Sequence, residues 1–189
     1  MIECARKLGG IVMPPIHLGP DRAKLTDDGN MLVGMDYART TTPPHQLDGS
    51  CYWIPKGLHM AVIDSILSQL KRAGFRVVFA DGHGPSRLNW AENIEEREAR
   101  FGLKLFGVTE DIRKQWKCQI DHAGRNETSI MMELRPELVD LSQLPESRSV
   151  WPQGVGGEDP RDATAVFGNE CLNKSIEIIR KKFLDAGII

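Results

Sequence analysis

The stretch Gly74-Phe-Arg-Val-Val-Phe-Ala-Asp-Gly-His-Gly84 decides how the rest of the chain is read. Phe75 to Ala80 is nearly all apolar, carries two adjacent valines and is entered through a glycine, the residue that commonly ends a preceding helix. That pattern predicts a buried strand. The run stops at Asp81-Gly82-His83-Gly84, where two glycines let the backbone turn sharply and set the His83 imidazole out from the strand's carboxyl end. In open α/β sheets, ligands and catalytic groups collect at that end. Imidazole is both a common metal ligand and a base tuned near neutral pH, so His83 is the first candidate functional residue. A histidine that only hydrogen-bonds a strand-end carbonyl is the plainer alternative. The flanking glycines weigh toward function, because they suggest close approach to the backbone.

A second cluster of the same character is Asp121-His122-Ala123-Gly124 followed by Glu127-Thr128-Ser129. Asn126 is placed to cap a short helix that runs to about Arg135, where Pro136 stops it. Asp121 and His122 thus precede a helix start, whose N–H groups and positive dipole end suit an anionic or polarised oxygen. Glu127, in the first turn, either complements that dipole or serves a site. Carboxylates and imidazoles from two strand ends are what a metal-assisted hydrolase requires: ligands for the ion and a base for the water's proton.

Weaker candidates surround these two. His17 follows a strand into a loop and is a candidate for the same crevice. Trp53, with Tyr52 and Trp151, would wall a small planar substrate, packing of a core or lid being the alternative. Asp36 is the loop carboxylate to watch. His45 and His59 are expected to be solvated. The glycine-rich Gly154-Val-Gly-Gly157 follows no strand and lacks a phosphate-cradle spacing, which argues against nucleotide binding.

Size and composition bound the remainder. The 189 residues suit one domain spanning 1–189, with 41% apolar and 26% charged residues. A net charge of −2 with no basic stripe excludes nucleic acid as the expected partner. No apolar run approaches the roughly 20 residues needed to cross a bilayer, and Glu3, Arg6 and Lys7 interrupt any leader-like start. Cys4, Cys51, Cys118 and Cys171 are scattered, which fits reduced thiols in a cytoplasmic protein.

Along the chain, residues 2–8 read as the end of a helix, Ile11-Val12-Met13 as a short buried strand, and Ile16 to Pro55 as a long patternless loop covering a site. Leu58, Val62, Ile63, Ile66, Leu67 and Leu70 then mark one face of a helix. A polar helix is expected from about Ser86 to Arg100, a strand from Leu103 to Val108, and a helix opened by Thr109. After a Pro/Gly-rich connection, Asp159-Pro160 is expected to open a long C-terminal helix with Leu172, Ile176, Ile179 and Phe183 on one face. Alternating strands and helices predict an α/β fold with a parallel sheet covered on both sides.

The quoted residues resemble the creatininase (creatinine amidohydrolase) family. Asp81-Gly82-His83-Gly84 is similar to that family's Asn-Gly-His-Gly strand end. His122-Ala-Gly-Arg-Asn-Glu127-Thr-Ser129, followed by Pro136-Glu-Leu-Val139, resembles its His-Ala-Gly-x-x-Glu-Thr-Ser motif. Ile11-Val-Met-Pro-Pro15 and Gly157-Glu-Asp-Pro-Arg-Asp-Ala-Thr164 match as well. The resemblance implies a three-layer α/β/α fold with a mainly parallel sheet, a divalent-metal site of zinc or manganese, and hydrolysis of a C–N bond in a small cyclic or linear amide. It further implies a homo-oligomer, often a hexamer. By the same resemblance His83 is a metal ligand, His122 lies at the substrate site as a catalytic residue and Glu127 supports it; Asp121, His17 and Trp53, from the reading of the residues above, are the candidates for binding the substrate.

Family members usually begin with a strand ending in Glu-x-His-Gly and an aspartate shortly after it, the source of most of the metal shell. None of these has a counterpart here, so the chain is expected to be an N-terminally truncated or degenerate member. Pro85 and Arg125 stand where some members carry further carboxylates. Two functional readings follow: a metal-dependent amidohydrolase, or an inactive member, without bound metal, that serves as a small-molecule-binding or hetero-oligomer subunit.

Overall fold

The computed structural model describes residues 1–20, 22–34, 37–38, 45–46 and 53–189. Asp36, Cys51 and Tyr52, and the side chain of His45, lie outside the described residues. The strands are β1 (Arg22–Leu25), β2 (Met31–Gly34), β3 (Tyr37–Ala38), β4 (His45–Gln46), β5 (Ile54–Pro55), β6 (Val77–Ala80) and β7 (Lys104–Gly107). The helices are α1 (Ile2–Leu8), α2 (Lys56–Arg72), α3 (Gly84–Glu92), α4 (Ile94–Phe101), α5 (Glu110–Arg113), α6 (Arg125–Leu134) and α7 (Ala165–Asp185). Internal contacts divide the chain into two units, Ile11–Glu110 with Met1, and Ile2–Gly10 with Asp111–Ile189.

In the first unit, the apolar face of α2 turns Leu67 into a core with Trp90, Leu103 and Leu105. The helix ends where the sequence predicts. Gly74 takes φ +90, and the N–H groups of Gly74 and Phe75 return to Lys71 O (3.0 Å) and Leu70 O (3.1 Å). That reversal feeds β6, which pairs parallel with β7 from Val77↔Lys104 to Ala80↔Gly107. Among the described residues β6 pairs with β7 alone.

The predicted polar helix over 86–100 is two helices, broken at Asn93. The Asn93 side chain donates back to the Asn89 carbonyl (2.6 Å), the competition with helical backbone that makes asparagine a helix breaker. Arg97 of α4 is buried at 2% exposure, donates from Nε to Asp64 of α2 (3.1 Å) and lies over the Trp90 ring. Glu98 accepts the Leu105 N–H (2.8 Å) and so ties α4 to β7.

Two expectations for this unit are corrected. Ile11, Val12 and Met13 form no strand and are 71%, 42% and 51% exposed, running into Pro14-Pro15, which cannot donate to a ladder. The supposedly patternless region contains β1 and β2, an antiparallel hairpin from Arg22↔Gly34 to Leu25↔Met31, to which β5 adds. Its turn is built from Thr26, Asp28, Gly29 and Asn30, with the Thr26 hydroxyl donating to the Asn30 carbonyl (2.9 Å).

In the second unit α6 and α7 cross closely, because Gly168 presents no side chain: a Cβ there would overlap the Ser129 carbonyl oxygen and lie 2.9 Å from Ile130 N. Ile176 and Ile179 of α7 are buried, and α1 packs against α7. The C-terminal helix starts later than expected. Asp159-Pro160 opens a 3₁₀ turn instead, Pro160–Asp162, closed by the Asp159 carboxylate accepting the Arg161 N–H (2.9 Å). Thr164 is the true cap, its hydroxyl accepting from Phe167 N (3.2 Å). The α/β class holds: among the described residues the parallel pair β6–β7 stands as its own sheet beside the antiparallel sheets β1–β2–β5 and β3–β4. Among the described residues no helix is long and apolar enough to cross a membrane.

Candidate functional site

Each unit carries one of the two motifs. In the first, His83 occupies the cap position of α3, at the carboxyl end of β6, as the sequence predicts. It is exposed, with extended backbone (φ −57, ψ 148), and its carbonyl accepts the Arg87 N–H (3.0 Å) that starts the helix. Asp81, the carboxylate beside it, is held by Arg87 Nε at 2.7 Å, with both side chains largely buried. That ion pair fixes the strand-to-helix turn and occupies Asp81.

In the second unit the Asp121–Ser129 motif builds a helix start. The Asp121 carboxylate accepts from Asn126 N (2.7 Å) and Glu127 N (3.1 Å), satisfying two of the orphan N–H groups at the head of α6. The Glu127 carboxylate reaches back to the Ala123 N–H (2.8 Å) and holds Ala123 at φ +50, a left-handed conformation rare for an L-residue. His122 pairs by backbone in both directions with Gly156 (2.9 and 2.8 Å). The imidazole of His122 is exposed at the centre of this frame.

The glycines are part of the same construction. A Cβ on Gly124 would sit 2.5 Å from Asp121 Oδ2 and 2.9 Å from the Glu158 carbonyl; one on Gly157 (φ +105) would sit 2.6 Å from Asp121 Cβ. The expected cap, Asn126, is instead buried inside the helix. Its Nδ2 donates to Lys117 O (2.7 Å) and its Oδ1 accepts from Ile120 N (3.4 Å). Gly124 takes the cap position and Asp121 supplies the capping group.

The remaining candidates divide. His17 is exposed on an irregular segment. The Trp53 indole packs over Gly34 of β2, where any Cβ would collide with the ring, and its buried Nε1 has no hydrogen-bond partner among the described residues. Trp151 is half exposed and donates to the Val155 carbonyl (2.9 Å), folding the loop that leads to Gly156. His59 is a correction. It is 5% exposed rather than solvated, with Nδ1 buried and without a hydrogen-bond partner among the described residues, because its position on α2 faces inward one turn before Ile63. Burial, reinforced by the Arg97 charge, pushes its pKa below the ordinary 6.5. With Val33, Pro85 and Leu88 it lines a cavity of about 290 Å³ that sequence reading missed, since a lone histidine on a helix start carries no periodic signal.

Among the described residues, no group of three His, Cys, Asp or Glu side chains is placed to hold a metal ion.

The comparisons with known proteins agree with one another. A family profile described as Creatininase, creatinine amidohydrolase, matches residues 3–182. The chain is 27% identical over 162 residues to a creatinine amidohydrolase of Pseudomonas putida, an alignment covering 74% of this chain and 55% of that protein. It thus spans about half the length of that curated relative. A crystal structure of creatinine amidohydrolase (creatininase) superposes with a TM-score of 0.58 at 19% identity, over 95% of this chain and 76% of that one. A tryptophan-to-phenylalanine mutant creatininase gives 0.60 at 18% identity, over 98% and 79%. A glutamate-to-glutamine mutant creatininase described as Zn-Zn type gives 0.58 at 20% identity, over 97% and 78%. These likenesses show the fold, and the profile, which runs through both histidine motifs, shows that the chain belongs to the creatininase family.

Proposed function

We propose that this chain is an amidohydrolase-type protein whose ligand is a small cyclic or linear amide, with the C–N bond as the target of hydrolysis. Creatinine, the substrate in the name of its Pseudomonas putida relative, is the first compound to try. The observation that carries the reading is the His122 turn. Asp121, Glu127, Gly124 and Gly157 fix the backbone on both sides, while the imidazole is left exposed. An imidazole on so constrained a backbone suits orienting or polarising an amide carbonyl, work that depends on position. In this reading Glu127 and Asp121 position His122, and Trp151, whose indole folds the loop leading to Gly156, contributes to the substrate's surroundings. The family profile's span across both units supports treating them as one domain.

Zinc or manganese enters with His83 as one ligand, at a strand end suited to it. A catalytic ion needs about three protein ligands. Among the described residues no such set converges, and Asp81, Asp121 and Glu127 each already serve an ion pair or backbone N–H groups locally. The chemistry assigned to this chain's own side chains therefore stops at binding and orienting the amide. The engagement of those carboxylates favours a second reading, a family member that binds a small molecule or a related subunit without turnover. Exposed Ile11, Val12, Met13 and Ile16 support association with further copies or a paralogue.

The test uses the full chain, with and without ZnCl₂ or MnCl₂, against creatinine and a panel of small lactams. Calorimetry reads binding, and mass spectrometry of products reads hydrolysis. His122→Ala is expected to weaken amide binding at least tenfold, and His83→Ala to lower bound metal by elemental analysis. Amide binding that is metal-independent and without product supports the second reading. Binding unaffected by His122→Ala overturns the assignment of the site.

A further inference from the structure

Two cysteines meet at the base of the loop that carries His122. Cys118 lies in the turn between α5 and α6, and its Sγ approaches the Cys171 carbonyl oxygen at 3.8 Å. Cys171, on α7, is 4% exposed, and its Sγ accepts from Asn126 Nδ2 at 3.3 Å. The same Nδ2 donates to Lys117 O (2.7 Å), and Lys117 N donates to the Ser175 hydroxyl (3.1 Å). Cys171 and Ser175 are four apart on one face of α7, so residues 117–118 lie pinned along a single turn of that helix. Cys118 is partly exposed and within reach of a small oxidant, whereas Cys171 is not. Burial pushes the Cys171 thiol pKa up, which keeps it protonated and places the first reaction at Cys118.

We propose that Cys118 and Cys171 form a dithiol pair that closes to a disulfide when the protein meets a low-molecular-weight disulfide such as oxidised glutathione. The Cys118 thiolate attacks one glutathione sulfur, the glutathione S–S bond breaks, and one glutathione leaves as a thiolate and is protonated. The Cys171 sulfur, on losing its proton, attacks the Cys118 sulfur and expels the second glutathione. Two protein thiols are oxidised, one glutathione disulfide is reduced to two thiols, and both protons end on glutathione. Bridging needs the two Cβ atoms within about 4.5 Å. Cys118 Sγ already lies 3.8 Å from the Cys171 carbonyl oxygen, and closure would turn the Cys171 sulfur away from Asn126. The bond would tie the segment leading to His122 onto α7 and take from Asn126 one of its contacts. This pairing does not depend on the amidohydrolase reading.

The full chain is incubated with oxidised glutathione, remaining thiols are alkylated, and intact mass and proteolytic peptides are read. The expected product has lost two hydrogens, carries no glutathione, and yields a Cys118–Cys171 linked peptide that dithiothreitol releases. Cys118→Ser abolishes it; Cys171→Ser leaves one glutathione on Cys118; Cys4→Ser and Cys51→Ser change nothing. Cys118→Ser is at a partly exposed position and carries the test even if the buried Cys171→Ser variant misfolds. Stable glutathione on wild-type Cys118 with Cys171 still open to alkylation after denaturation overturns the proposal, as does a cross-link that survives Cys118→Ser.

Discussion

Replacing Asp121 by alanine tests whether the His-Ala-Gly turn is held as the hydrogen bonds indicate. Asp121 supplies the helix with two acceptors, at 2.7 Å from Asn126 N and 3.1 Å from Glu127 N, and a negative charge at its positive end. Loss of an N-terminal capping group costs about 0.5–2 kcal/mol and loss of the charge about 0.3–1. With two bonds and partial burial, Asp121→Ala should cost about 2 kcal/mol. The glycines sharpen the test. Gly124→Ala puts a Cβ 2.5 Å from Asp121 Oδ2 and 2.9 Å from the Glu158 carbonyl, worth about 2 kcal/mol of overpacking. Removing the Asp121 carboxylate relieves the first clash and not the second, so the double variant should fall short of additivity by about 1 kcal/mol. Gly157→Ala collides with Asp121 Cβ, which alanine retains, so that pair should be additive. Urea unfolding reads these values as midpoint shifts at constant slope. A loss under about 0.5 kcal/mol for Asp121→Ala, or coupling of Gly157 as strong as that of Gly124, refutes the reasoning.

Gly168→Ala should destabilise by about 3 kcal/mol, since its Cβ meets backbone of α6 that cannot rotate away; a shift below about 1 kcal/mol by urea unfolding would show that the helices separate easily. His59 gives a pH signature. Its folded pKa is depressed below 6.5, so on acidification the unfolded chain takes up a proton that the folded one refuses, and stability falls as pH drops through 6.5 toward the folded value. His59→Leu should flatten that part of the profile of unfolding midpoint against pH, and an unchanged slope would place the proton uptake on another group.

Much of the first unit was legible because its signals are local. The α2 face, the Gly74 reversal and the β6 run each follow from periodicity or a φ requirement within a few residues. The hairpin β1–β2 was not, since its strands are four residues each, and Arg22-Ala-Lys-Leu25 shows no β-branched residue. The strand expected at Ile11–Met13 failed for the opposite reason: apolar content was present, but a strand also needs a neighbour to pair with. Among the candidate residues, His83 and His122 were singled out by their glycine neighbours, and each is exposed at its own turn. What those motifs do locally was not legible, because the partners of Asp81 and Asp121 depend on which N–H and guanidinium groups the fold delivers to them. The inward turn of His59 and the approach of Cys118 to Cys171 are likewise tertiary facts, separated in the latter case by 53 residues.

Glu127 is where the structural and chemical readings of the motif part most clearly. Its carboxylate accepts the Ala123 N–H at 2.8 Å, and that bond holds the left-handed residue next to His122. A glutamine can make the same bond with its amide oxygen, losing only the charge near the helix start, worth about 0.3–1 kcal/mol. Alanine cannot make it, and Ala123, which costs about 1–2 kcal/mol to hold in that conformation, would be free to relax and carry His122 with it. If Glu127 acts by position, Glu127→Gln keeps amide affinity near wild type while Glu127→Ala loses it, with His122 displaced. If Glu127 moves a proton, Glu127→Gln should lose about 10²–10⁴ in turnover with affinity and stability nearly intact. The bond to Ala123 leads us to expect rescue by glutamine, measured as amide affinity by calorimetry beside the urea midpoint. Equal loss of affinity in both variants, with the glutamine variant fully folded, would show that the carboxylate's charge contributes directly to the ligand.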